Sequence, residues 1–151
     1  HGKIGDNVTH AIGSGLEVSD EGYLFLGCSG PQDGTDGAPL NVFLAYTGKD
    51  ARHSELTWLT QSETDIDRAR LVKVNGDTFV AMWAQEDGLH YQLLDGKGSL
   101  VGEEQVLKEV PMPPTDPVVL DGDICWLQYV SHPLLEGRPL LYRISLSSET
   151  E

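Results

Sequence analysis

The residues in this chain best placed to do chemistry are closely spaced carboxylates. The loop GPQDGTDGAP sets Asp33 and Asp36 among glycines, and paired carboxylates on a flexible loop suit a hard, oxygen-seeking ion such as Ca2+. Neither an EF-hand spacing nor a third carboxylate accompanies them, so a solvated turn is the competing reading, and Ca2+ is the cofactor this loop would take. In ETDIDRAR, Glu63, Asp65 and Asp67 alternate and share a face if the segment is extended. Such a set suits a cation, or an acid pair for glycoside hydrolysis, which requires one acid kept protonated by burial and the other charged. A polar connection with Arg68 and Arg70 as counter-charges is the plainer reading. No Gly-x-Ser-x-Gly elbow is present, and no two of the five histidines stand at an i, i+2 or i, i+4 spacing. A triad or a metal cluster is therefore not encoded locally, and no catalytic residue is assigned. His1, if it is a mature N-terminus, has an amine and an imidazole that together chelate copper, provided the fold brings up a second histidine.

The aromatic residues offer a different chemistry. Trp58, Trp83, Trp126, Tyr91 and Tyr129 have faces that stack on sugars or peptides, although Trp83 and Trp126 lie inside apolar strand-like runs, where core packing is the expected role. The polar loop SHPLLEGR carries Leu134 and Leu135, and apolar residues at a loop tip point to contact with another protein. The candidate ligand-binding set is therefore Trp83, Tyr91, Trp126, Tyr129, Leu134 and Leu135, with Asp33 and Asp36 for metal.

The elements that must position these residues are strands. At 151 residues, 39% of them hydrophobic, the chain reads as one domain with a sizeable core. Its net charge of −14 repels nucleic-acid phosphate and anionic membrane surfaces. No apolar run approaches the roughly 18 residues that cross a bilayer, so neither nucleic-acid binding nor membrane insertion is expected. Cys28 and Cys125 each sit in an apolar run without Cys/His metal spacing, and are expected to be buried free thiols.

A repeat organises the strands. GLEVSDEGYLFLGCS, RLVKVNGDTFVAMWA and DPVVLDGDICWLQYV align on Gly22, Gly76 and Gly122, which are 54 and 46 residues apart. In each, a short apolar strand ends at Glu21-Gly22, Asn75-Gly76 or Asp121-Gly122 and a second follows at once. Asn-Gly and Asp-Gly favour the positive φ of a tight hairpin. Third strands start at Asn41, Leu89 and Pro139, and fourth strands at His53 and Ser99, while the last copy lacks one. The units span approximately 13–60, 69–108 and 116–151. KIGDNVTH (Lys3 to His10) parallels LVGEEQVLK (Leu100 to Lys108), which makes residues 3–10 a fourth strand placed ahead of the first unit.

With its glycine turns, aromatic-containing strands and a hairpin ending in Gly-x-x-Val-Gly, clearest from Val74 to Leu107, the chain resembles the secreted bacterial β-propeller repeat proteins. The resemblance implies an all-β fold of three four-stranded blades, the N-terminal strand completing the last blade, either of a partner chain in a homodimer or alongside another propeller segment. A β-sandwich is the alternative. The resemblance, with the acidity, also implies a secreted, periplasmic or cell-surface location; the missing catalytic constellation, and not the architecture, favours a non-catalytic binding or assembly module for a glycan or protein. A glycan-active enzyme or enzyme fragment on the same scaffold is the second reading.

Overall fold

The computed structural model describes residues 11–30, 37–129 and 137–146. These residues form eleven strands in three antiparallel sheets, none of them closed. Sheet 1 takes β1 (Ile12–Val18), β2 (Gly22–Ser29), β3 (Asn41–Gly48) and β4 (Ser54–Trp58) in chain order. Sheet 2 repeats this order with β5 (Ala69–Lys73), β6 (Thr78–Gln85), β7 (Gly88–Asp95) and β8 (Leu100–Lys108). Sheet 3 has β9 (Val118–Leu120), β10 (Asp123–Tyr129) and β11 (Pro139–Ile144), with β10 in the middle. Among the described residues nothing pairs with the outer edge of β11. The expected strand over residues 3–10 lies outside them.

The sheets stack on the central one, because its second strand, β6, is apolar on both faces. In β6, alternation sends Phe79, Ala81 and Trp83 to one side and Val80 and Met82 to the other, and all five are buried. The first set packs with Leu24, Leu26 and Cys28 of β2 and Val42 and Leu44 of β3. The second packs with Ile124 and Trp126 of β10 and Ile144 of β11. Two separate cores result, with sheet 2 between them. The connections plug their ends, Ile66 in the first core and Met112 in the second. Both cysteines are buried free thiols.

The hairpin turns follow the positions of the expected glycines but only partly their mechanism. Asp121 and Gly122 both take positive φ, 53° and 85°, as a two-residue turn between strands paired Leu120 to Asp123 requires. Gly22 and Gly76 do not. At the first turn the Ser19 hydroxyl accepts from the backbone N–H groups of Glu21 and Gly22, at 3.1 and 3.0 Å. At the second, Asn75 Oδ1 accepts from Asp77 and Thr78 at 3.0 and 2.9 Å. A side-chain acceptor shapes these two loops, and Gly22 is needed for a different reason: a Cβ there would stand 2.2 Å from the carbonyl oxygen of Thr47.

Ser19 also joins two sheets, since its hydroxyl donates to the carbonyl of Gly96, in the turn after β7, at 2.6 Å. Removing it leaves a buried carbonyl and two turn N–H groups short of a partner. Ser19→Ala is therefore expected to cost about 1–3 kcal/mol, read from the urea midpoint at unchanged m.

Candidate interaction faces and a buried histidine clasp

Among the described residues, sheet 2 is covered on both sides, whereas sheets 1 and 3 are each covered on one. The open side of sheet 1 can be followed across all four strands by register. Leu16, Phe25, Ala45 and Leu56 make one cross-strand row, and Val18, Tyr23, Thr47 and Ser54 the row beside it. On the other side of the first row Phe43 and Trp58 pair, with Gly27 next to them. Phe43 lies over Gly27, where a Cβ would come within 2.7 Å of the ring. The rings of Phe25, Phe43 and Trp58 form a ridge with centroids 5.9 and 5.7 Å apart. Leu16 at its margin is 65% exposed.

The open side of sheet 3 carries Leu127 paired with Leu141, Val118 paired with Cys125, and Tyr129 paired with Pro139. Leu127 is 61% exposed and Tyr129 74%. Val118, Leu120, Leu127 and Leu141 border a groove of about 400 Å3, with Cys125 among its lining residues. The face carries one ion pair across its strands, in which Arg143 Nε donates to Asp123 Oδ2 at 2.5 Å and Asp123 also accepts from Ser145 Oγ and the N–H of Leu146; Asp116, paired with Arg70, lines the edge of the groove. The guanidinium bond holds the Asp123 carboxyl below its usual 3.8.

These faces are anomalous for their sequence. β2 reads GYLFLGCS, as continuously apolar as TFVAMWAQ in β6. A continuous apolar run is the pattern of a strand buried on both sides, while a half-solvated strand alternates. β6 is covered on both sides and β2 on one. Contiguous exposed apolar surface of this kind marks an interaction site.

The chain matches no family model, no curated protein and no solved structure.

The aromatic candidates scatter over this architecture. Trp83 is 1% exposed between sheets 1 and 2. Trp126 is buried between sheets 2 and 3, stacked on Tyr142 at 5.2 Å and 9°. Tyr91 is half-buried against the second core. Tyr129 is the member of the described set with an open ring, and it stands on the sheet 3 face. Leu134, Leu135, Asp33, Asp36 and His1 lie outside the described residues, as do the expected protein-contact loop tip, the Ca2+ site and the copper site. Among the described residues no three His, Cys, Asp or Glu side chains are grouped as a metal site would require, and no helix is long and apolar enough to cross a membrane. Of the alternating carboxylates, Asp65 Oδ1 accepts from the N–H of Leu40 at 2.8 Å, which ties the connection between sheets 1 and 2 to the start of β3. Arg70 turns to Asp116 at 3.3 Å instead of to its neighbours in ETDIDRAR.

One polar cluster has no counterpart in the sequence reading. His90, on β7, is stacked on Trp83 at 6.0 Å. Its Nδ1 lies 2.5 Å from Glu104 Oε1 on β8, and its Nε2 lies 2.7 Å from Asp87 Oδ1 in the turn between β6 and β7. A carboxylate only accepts, so both bonds require the imidazolium, with a proton on each nitrogen. Burial alone favours the neutral ring and is the largest influence, but the bonds to Asp87 and Glu104 outweigh it and raise the pKa above 6.5. Reciprocally, the bond to His90 holds Asp87 below 3.8. With both nitrogens donating, the ring has no lone pair for general-base work, and neither carboxylate lines the grooves on the sheet faces. The cluster is a clasp joining a turn and two strands.

Proposed function

We propose that this chain is a non-catalytic binding and assembly module on a β-propeller-type scaffold, and that it works through the two open faces at the ends of its sheet stack. The observation that carries the reading is that β2 is composed as a strand covered on both sides and is covered on one. Two sheets of four antiparallel strands followed by one of three, each sheet built by neighbouring strands in chain order, support the propeller-type plan. A protein partner suits the faces better than a glycan, because their described surface is mainly aliphatic and aromatic with few charged groups, and a sugar needs several directed hydrogen bonds. The glycan-active alternative draws least support, since the acid pair the structure does bring together, Asp87 with Glu104, is engaged by His90 and lines neither face.

The double variant Phe25→Glu/Leu127→Glu tests the reading. Both side chains stand outside the two cores, so the variant is expected to keep the wild-type far-UV circular dichroism and a heat-unfolding midpoint within about 3 °C. It is expected to lose whichever signal of the faces the wild type shows, binding of a hydrophobic dye or self-association. Unfolding of the variant, or dye binding and association indifferent to it, would overturn the proposal.

A further inference from the structure

We infer that the occupant of both faces is a second copy of this chain, docked head to tail twice, so that two chains close a ring of six sheets. The inference rests on reading the end faces as binding surfaces and adds the identity of the partner.

The stack itself supplies the first reason. Sheet 2 turns one side to the sheet before it and the other to the sheet after it. Among the described residues, no sheet packs on the other side of sheet 1 or on the other side of sheet 3. The open side of sheet 3 against the open side of sheet 1 is thus the next contact in a series the chain already makes twice. The shapes suit this order, with the ridge of Phe25, Phe43 and Trp58 on one face and the 400 Å3 groove beside Leu127 and Leu141 on the other.

The size of the faces supplies the second. Sheet 3 has three strands, and over about five residues its footprint is about 14 by 17 Å, roughly 240 Å2, from the spacings of strands and residues. One contact counted on both partners covers roughly 500 Å2, well short of the ~1,000 Å2 that a specific interface needs. Two contacts made together reach it, and side-chain relief adds to this flat projection. A single face-to-face or open head-to-tail contact is marginal, whereas closure engages both at once. Head-to-tail contacts that return on themselves give a closed ring instead of a filament.

Charge supplies a check. Each chain carries −14, yet among the described residues the charges on the facing surfaces are few and paired, Asp123 with Arg143 and, at the groove's edge, Asp116 with Arg70. Repulsion between copies is therefore long-range and screened by salt, so association tightens as ionic strength rises, the reverse of binding to a cationic partner.

Light scattering on the eluting full chain, at several concentrations and at low and high salt, tests the inference together with Phe25→Glu and Leu127→Glu made singly. The expected wild-type mass is twice 16.5 kDa, favoured by salt, and each single variant is expected to elute at half of it with circular dichroism unchanged. Loss of the dimer in one variant and not the other would show a face docking on its own twin, and would overturn head-to-tail closure. A mass climbing with concentration without a plateau would show an open polymer and overturn the ring. A wild-type monomer at every concentration that binds hydrophobic dye would overturn the second copy while leaving the binding-module reading intact. A monomer that binds no dye would overturn both.

Discussion

Replacing Trp83 by alanine is expected to remove about 3–5 kcal/mol from the free energy of unfolding, the largest effect of any single substitution considered for this chain. The indole is 1% exposed and fills the first core between the β2 and β3 side chains of sheet 1 and its neighbours in sheet 2. Truncation loses the transfer energy of the ring and leaves a cavity that strands paired on both sides, as β6 is, close only slightly. It also withdraws the surface on which His90 is stacked, so the clasp loosens with it. Trp83→Phe separates the two parts of the effect. The indole Nε1 has no hydrogen-bond partner, so phenylalanine keeps most of the packing and removes a buried donor that costs energy where it stands. The phenylalanine variant is expected to lose less than half as much as the alanine variant in urea unfolding. Equal losses would mean that the indole nitrogen contributes to stability after all.

Stability is expected to fall as pH rises from about 6.5, and His90 is the reason. Its folded-state pKa is raised above the ordinary 6.5, so between the unfolded and folded values the native state holds a proton that the unfolded chain has released. The contribution of the clasp is complete below about 6.5 and is lost as pH climbs through the folded value. Asp87 has the opposite sign. Its pKa is lowered from 3.8, so its share is present above that value and is lost as pH falls through the lower one. The clasp thus contributes most between about pH 4 and 6.5. Solvent reaches both carboxylates, and the expected loss is accordingly modest, about 2–4 °C in the unfolding midpoint between mildly acidic and mildly alkaline buffer. His90→Gln cannot hold the extra proton and is expected to flatten this part of the profile. A slope that survives in the variant would place its origin elsewhere.

Much of this architecture was legible in the residues. Three apolar strand pairs set off by Gly22, Gly76 and Gly122 announced an all-β chain, and Asp121-Gly122 announced its turn, because that dipeptide permits the backbone the turn demands. Asn75 was expected in a turn for the positive φ that Asn-Gly permits and instead acts through its side-chain oxygen, while Ser19 escaped notice, since an acceptor two and three residues from its donors looks in sequence like any polar residue before a glycine. The clasp was illegible for another reason. Glu104 reaches His90 across a ladder whose register shifts between Tyr91 and Leu93, beside Gly102 at a φ of 71°, and no local pattern fixes which residue faces which past such a bulge. A signal existed all the same: in LHYQLLD, alternation puts His90 and Gln92 on the side of Leu94, so two polar side chains were bound for a buried face and needed partners. The open faces are the converse case. Phe25 and Leu127 sit in apolar runs that read as buried on both sides, and only the stack shows which side is bare.

The division into two cores that share only sheet 2 means that this chain need not come apart all at once. Sheet 3 adds one core and three strands to a pair of sheets that keep their own packing without it, and β11 contributes an unpaired edge among the described residues. It can peel away while sheets 1 and 2 hold, as terminal units do in linear arrays. In an isolated chain amide exchange would run fastest through β9 to β11, and limited proteolysis would trim from that end and leave a fragment of eight strands.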